Sequence, residues 1–349
     1  MTGPALPRRR WLAQTPALVL GAWLPPAATA QAAQPARHAG SGSGLPAPAS
    51  VAAAAMPPLA LRPFGPGTWV AEAVNAEPAR ANAGAVVPSL VVLAGDGVLV
   101  VDPGPHLRWG RRLLAAIRRL TPLPVRWVVN THAHPEHVLG NAAFAALRPR
   151  PVFVASPQTA ALMRARCAAC LDHLRALLGA GTLAGTGIVL PAPALRDGAR
   201  FATGSIDWRV RVFADAHSPS DTVLYAPASG LLCAGGLATR QRVPDLREGS
   251  LAGWQAALRE LLGWEVRRVA GAGVGTPAQT LAPTLAYLDA LEADIARAWR
   301  SGGDAADAAR AVPGDGFRHW RGFSPRHALN VQRAWLELED RYLREAPPG

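Results

Sequence analysis

The chain has 349 residues, half of them hydrophobic, enough to fill one large domain or two smaller ones and too apolar for a chain that stays unfolded. Its formal net charge is +12, yet all 36 basic residues are arginines, scattered in pairs such as Arg111–Arg112, Arg118–Arg119 and Arg267–Arg268. With no long basic block and no aromatic-interleaved basic patch, this charge does not argue for a nucleic-acid partner.

Residues 1–30 read as an export signal. Arg8, Arg9 and Arg10 give a basic start, TPALVLGAWLPP a modestly apolar stretch, and Ala28-Thr29-Ala30 a small-x-small cleavage site. Trp11-Leu12 behind the paired arginines suggests the twin-arginine route, so a periplasmic mature protein is expected. The apolar run is too short and too interrupted to span a bilayer as a helix. Residues 31–58, rich in Ala, Pro, Gly and Ser, have almost nothing to bury and read as a disordered linker. A single domain is expected over residues 59–349.

From there strands alternate with helices. VVPSLVVL (86–93) and GVLVVD (97–102) are continuous apolar runs, as a strand buried on both faces requires; 106–120 has helical spacing, and VRWVVN (125–130) is another strand. A strand at 151–155 and a helix at 160–178 follow, then short strands at 200–203, 207–213, 222–226 and 230–233. After Gly249 the pattern predicts mainly helix, at 250–262, 280–300, 304–312 and 326–343.

The densest chemistry lies in THAHPEHVLGNAAF, residues 131–144. His132, His134 and His137, a third of the chain's nine histidines, crowd into six positions directly behind a predicted strand. In a loop at a strand's end imidazoles can converge on one ion, whereas along the strand they would alternate between faces. Zn2+ takes neutral imidazole at roughly 2.0–2.1 Å and usually wants four ligands, so further ligands are expected from distant loops.

The loop H-A-H-P-E-H resembles the H-x-H-x-D-H signature of the metallo-β-lactamase superfamily, and flanking motifs follow in the family's order. GVLVVDPG places Asp102 where the family has an aspartate orienting the metal loop from behind. ADAHSPSDTVLY places His217 at the next metal-ligand histidine, with Asp221 four residues on, able to fix a ligand's ring. The resemblance implies an α/β fold, the four-layer αββα sandwich, with extra C-terminal helices that either cap it or offer a partner surface.

Two motifs depart from the family. LLCAGGLAT has Gly236 in place of the aspartate that bridges two metals, and VAGAGVG has Ala272 in place of the second metal's last histidine. Glu136 replaces an aspartate, and its extra methylene displaces the carboxylate by about one bond length, large against a tolerance of roughly 0.2 Å. The resemblance therefore implies one Zn2+ held by His132, His134 and His217, beside a degenerate second site that keeps Glu136 and His137. Restoring Asp at 236 and His at 272 together is expected to recover a second metal.

Cys167 and Cys170 form a C-x-x-C inside a helical pattern rather than at a helix start, which leaves open a structural pair, a redox pair or, with His173, a metal site. Cys233 reads as a buried strand residue, and His106, His319 and His327 as surface or capping residues.

At finer grain the chain is similar to the SoxH-related branch called quinoprotein relay system zinc metallohydrolases. The likeness rests on THAHPEHVLGNAAF, on the C-x-x-C helix followed by GTGIVLPAPAL, and on RVPDLREGSLAGW. It implies a periplasmic hydrolase in which a metal-bound hydroxide attacks a small ester, thioester or amide-like substrate, associated with a quinoprotein dehydrogenase system. Glu136 would accept or orient the water's proton and Asp102 would steer the loop, these two being the catalytic pair. The alternative is a catalytically impaired accessory or binding protein of that system.

Overall fold

Alternation of buried side chains sorts the strands into two sheets that share one inner core. The computed structural model describes residues 59–305 and 307–345. The expected export signal and linker lie outside these residues.

The first sheet runs in chain order through β1 (Leu61–Gly65), β2 (Thr68–Ala71), β3 (Ser89–Leu93), β4 (Val98–Val101), β5 (Val125–Val129), β6 (Val152–Ala155) and β7 (Ala192–Pro193). It is antiparallel up to the β3–β4 pair and parallel from β4 to β7. The second comprises β8 (Arg200–Thr203), β9 (Ile206–Ala214), β10 (Ser220–Ala226), β11 (Leu231–Gly235), β12 (Arg268–Gly271) and β13 (Val274–Gly275), ordered β13-β12-β11-β10-β9-β8.

Strand β4 shows why a continuous apolar run is needed here. Val98 and Val100 point to the outer helical layer, while Leu99 and Val101 point between the sheets. Strand β11 does the same: Leu231 and Cys233 face inward, Leu232 and Ala234 outward. Each such buried aliphatic side chain contributes about 1.5–3 kcal/mol relative to exposure, which fixes the strand's register against a one-residue slip.

Helices α1 (Leu107–Leu120) and α3 (Asn141–Phe144) cover the first sheet. His106 is the N-cap of α1: its Nδ1 accepts from Trp109 N at 3.0 Å, and its Nε2–H donates to Ala83 O at 2.9 Å. Helix α2 (Pro135–Val138) is a single turn that packs through Val138 and Leu139 against α4 (Pro157–Leu178), whose Cys167 belongs to that contact.

The second sheet is covered by α5 (Leu251–Leu262), α6 (Leu281–Arg300), α7 (Ala308–Ala311) and α8 (Phe323–Glu345), through Trp254, Leu258, Tyr287, Leu291, Trp335 and Leu338. These are the layers of an αββα sandwich. The stretch after Gly249 is mainly helical, as expected, but β12 and β13 lie between α5 and α6; the glycines that hide their strand pattern permit a tight hairpin. Among the described residues of 304–312, Ala308–Ala311 is helical.

Helix α8 does more than cover a sheet. Asn330 donates to Pro244 O at 2.7 Å and accepts from Leu246 N at 3.1 Å, and Arg333 donates to Gly249 O at 3.1 Å. The Glu337 carboxylate accepts from Leu251 N at 2.9 Å and Ala252 N at 3.0 Å, capping the positive end of α5. His327 is buried, not at the surface: its Nε2–H donates to Val312 O at 2.9 Å, which leaves Nδ1 to accept from Tyr287 OH at 3.0 Å. The segment 244–252, which borders the site, is thus held from its outer side.

Candidate metal centre

The site lies where β4 and β5 end and β10 begins, and its framework is a hydrogen-bond relay. Asp102, just past β4, sits at φ +51°, a left-handed conformation that Asp tolerates better than most residues. Its carboxylate accepts from Thr131 N at 2.9 Å, from Thr131 Oγ1 at 2.7 Å and from His137 Nδ1–H at 2.9 Å. Thr131 has one hydroxyl proton and gives it to Asp102, so at the 2.9 Å contact with His132 it is the imidazole Nδ1–H that donates. The tautomer of His132 follows: Nε2 carries a lone pair, and this atom is buried without a hydrogen-bond partner.

Backbone contacts lock the loop to the strand end. Gly104 N donates to His137 O at 3.0 Å, and Gly140 N to Gly104 O at 2.7 Å. The approach is so close that a Cβ on Gly140 would lie 2.2 Å from Pro103 O, so only glycine fits.

His217, in the turn before β10, brings its Nε2 to 3.2 Å from His134 Nδ1. Two zinc–nitrogen bonds of 2.0–2.1 Å at the tetrahedral angle place their nitrogens about 3.3 Å apart. The three rings meet edge to face, with centroids 4.7 Å (132–134), 5.0 Å (132–217) and 4.9 Å (134–217) apart, and Trp254 packs on His217 at 4.9 Å. One donor atom from each of His132, His134 and His217 falls within 4.8 Å of the others. A buried, unpartnered lone pair in a group with two nitrogens at ligand spacing fits a single tetrahedral cation.

Asp102, His132 and His137 form a second three-donor group. Asp102 there already accepts three hydrogen bonds and both ring Nδ1 atoms are used, so this group is the relay that aims the rings. Among the described residues Glu136 joins neither group.

Electrostatics agree with neutral ligands at two positions. Burial, aided by the neighbouring imidazoles, holds His132 and His217 well below the ordinary histidine range. Burial also opposes charge on His134, but Glu248 and Glu136 outweigh it and raise its pKa. Burial would raise Glu136; His134 and His137 overcome it and lower it. The Asp221 carboxyl is pushed up to about 7 by burial. It accepts from Ser218 N at 2.7 Å and Ser218 Oγ at 3.0 Å, so what it holds is the turn behind His217 rather than a ring.

Glu248, absent from the motif reading, stands 3.8 Å from His134 Nε2 and is paired with Arg166 at 2.7 Å. Its only signal was its place in RVPDLREGSLAGW, and a lone glutamate there does not announce a partner 114 residues away.

The second position differs. Glu136, His137, Gly236 and Ala272 all line one cavity of about 550 Å3 that is also bordered by His134 and His217. A Cβ on Gly236 would lie 2.0 Å from His217 Cδ2 and 2.4 Å from its Nε2. The place of the missing bridging carboxylate is therefore filled by a first-site ring, and the residues present do not fit a second metal. An Asp at 236 would have to displace that ring, which works against the expectation that it rebuilds the site.

Cys170 and His173 line the same cavity from α4. All three cysteines are free. Burial raises both thiols of the pair, Cys167 to about 11, which disfavours the thiolate that redox exchange or metal ligation needs. Cys233 is buried between the sheets.

The metallo-beta-lactamase superfamily model matches residues 82–273, more than half of the chain. The chain belongs to this superfamily. Its members bind metal, and the histidine group described above is where this chain could hold one. Among solved structures, the metallo-beta-lactamase from Pontibacter korlensis is 21% identical with a TM-score of 0.53, over 66% of this chain and 99% of that one. A double mutant of the sec-alkyl sulfatase PisA1 is 14% identical with a TM-score of 0.62, over 83% of this chain and 52% of that one. At such identities the likeness is one of fold. A linear primary-alkylsulfatase from Pseudomonas sp. (strain ATCC 19151) is 35% identical over 54 residues, 16% of this chain, so the match spans about a tenth of that curated relative's length.

Proposed function

We propose that the protein is a mononuclear zinc hydrolase acting on a small ester, thioester or amide-like substrate. The observation that carries this reading is that His132, His134 and His217 each offer a donor atom within 4.8 Å of the others, with His134 Nδ1 and His217 Nε2 3.2 Å apart and His132 Nε2 buried and unpartnered. Zinc bound there would supply an activated water and a Lewis acid at neutral pH.

The chain's own residues do the rest. Asp102, through Thr131, keeps the His132 lone pair turned toward the other two rings, and it aims His137 directly. Glu136, kept ionised by His134 and His137, lies at the cavity's edge as the acceptor for a proton from the attacking water. Glu248 holds His134 from behind.

The SoxH-related assignment, the periplasmic location and the association with a quinoprotein dehydrogenase system form part of this proposal and rest on the sequence resemblance. Alkyl sulfate esters belong in the substrate panel because of the two sulfatase likenesses. A second reading, a catalytically impaired accessory protein, is favoured by the closed space at Gly236 and by Ala272.

The test is metal analysis of purified protein beside hydrolysis assays on an ester, thioester, lactam and alkyl sulfate panel. Glu136→Gln should keep its zinc and lose about 10²–10⁴-fold in rate. Zinc-loaded wild type inert toward the whole panel would favour the accessory reading.

A further inference from the structure

A dinuclear member of this fold presents two cations to its cavity. Here the donors at Gly236 and Ala272 are gone and the first-site ring of His217 fills the space at 236. Yet the cavity does not lack a second positive charge. Arg242, Arg247 and Arg326 all line it. Two of them are held by short ion pairs, although Arg326 Nε is buried without a partner and Arg247 is largely exposed. Arg247 makes three side-chain bonds to Asp245, at 2.6–3.0 Å, and Arg326 pairs with both Glu77 and Asp245.

Arg242 is different. Its backbone is fixed: Arg242 O accepts from Thr239 Oγ1 at 3.0 Å, and the residue bridges to Arg321 at the head of α8. Its side chain is only 12% exposed, but its hydrogen bonds are long, 3.4 Å from Nη1 to Val86 O and 3.3 Å from Nη2 to Glu77 Oε1. A guanidinium carries five donors, and bonds to carboxylates normally run about 2.7–2.9 Å. Glu77, the carboxylate it hydrogen-bonds, is shared with Arg326, and the Glu136 carboxylate also acts on its charge from within the cavity. A rigid, nearly buried, weakly answered guanidinium therefore faces the cavity that also holds Glu136, Gly236 and Ala272.

We infer that Arg242 is the second cation of this site, a fixed guanidinium in place of a second metal, and that it binds an oxyanion of the substrate. The ligand class is a substrate carrying a carboxylate or a sulfate-type group, which the planar fork of Arg takes up two oxygens at a time. Such a cation anchors the substrate without moving with it and needs no ligands from positions 236 and 272. The inference rests on the one-metal reading, since a second zinc would already supply this charge.

The probe is inorganic sulfate, titrated calorimetrically at low ionic strength into the full chain, in metal-free and zinc-loaded forms. Wild type should bind one sulfate in both forms, because the anion is held by the protein. Arg242→Gln should weaken binding at least tenfold with zinc content unchanged, and Arg242→Lys should fall between the two, keeping the charge but losing the fork. Glu77→Gln should bind sulfate several-fold more tightly, because it removes the competing carboxylate; a merely destabilised cavity would not gain affinity. Equal sulfate binding by wild type and Arg242→Gln, or weaker binding by Glu77→Gln, overturns the inference. A protein without zinc would overturn the hydrolase reading instead, and the metal-free titration would still report on Arg242.

Discussion

The two metal positions of this site share one cavity and have opposite fates. The first is built from loops locked to strand ends: Asp102 and Thr131 fix the tautomer of His132, Glu248 stands behind His134, and Trp254 packs on His217. The second would draw its donors from the ends of β11 and β12, where the backbone has closed on itself. Ala272 N donates to Gly235 O at 2.8 Å and Gly273 N to Ala238 O at 2.6 Å. The difference teaches that a ligand is preserved or lost with its supporting shell. Where the shell is intact the imidazoles are grouped; where the donor is gone, the neighbouring ring of His217 occupies the space.

The sharpest way to break this contrast is to remove first-site ligands. His132→Ala, His134→Ala and His217→Ala should each weaken zinc binding on the order of a thousandfold, since each removes one of only three protein donors. His137→Ala, which removes only a contact to the Asp102 relay, should cost about tenfold. Competition titrations with a chelator read both, and equal losses in all four would dissolve the distinction between the positions.

Asp102→Asn tests the relay itself. It leaves the first-site nitrogens in place but disturbs Thr131 and both Nδ1 atoms, so zinc affinity should fall about 10–100-fold. A loss below twofold would show that the rings are aimed by packing alone.

The attempt to rebuild the second position should fail in a particular direction. Gly236→Asp puts a Cβ where His217 Cδ2 stands, 2.0 Å away, so it should displace that ring and weaken the first zinc about tenfold or more instead of recruiting a second. Ala272→His alone should leave metal content unchanged. Mass spectrometry under native conditions distinguishes these outcomes, and a second bound zinc in the double variant would contradict the closed-space account.

Much of this contrast was legible in the chain. The apolar runs at β3, β4 and β5, the histidine loop and the lone His217 fix the sandwich and the first site, because strand alternation and ligand crowding are local signals. Gly236 and Ala272 announced that donors were missing. What fills their place was not legible, since the contact of Gly236 with His217 joins two strands through tertiary packing. Glu248 and Arg242 were hidden for the same reason: each is a single charged residue whose partner lies on another segment. Helix α8 was readable as a helix, but its grip on 244–252 through Asn330, Arg333 and Glu337 depends on a docking angle that periodicity does not encode.

A smaller effect concerns the turn that carries His217. Asp221 has its carboxyl raised from 3.8 to about 7 by burial. Between those values the folded chain holds a proton that the unfolded chain releases, so this residue's contribution to stability is full below pH 4 and is lost as pH rises toward 7. The upper bound is about 4 kcal/mol. In metal-free protein, Asp221→Asn should flatten the stability profile over pH 4–7, as denaturant melts at several pH values would read; an unchanged slope would remove Asp221 from this role.

The central claim is that one position is whole and the other closed, and zinc stoichiometry addresses it most directly. Protein purified without added chelator, then equilibrated with excess zinc and passed through a desalting column, should retain one zinc per chain, and His217→Ala should retain none. Two tightly held zincs per wild-type chain, or none, would contradict it.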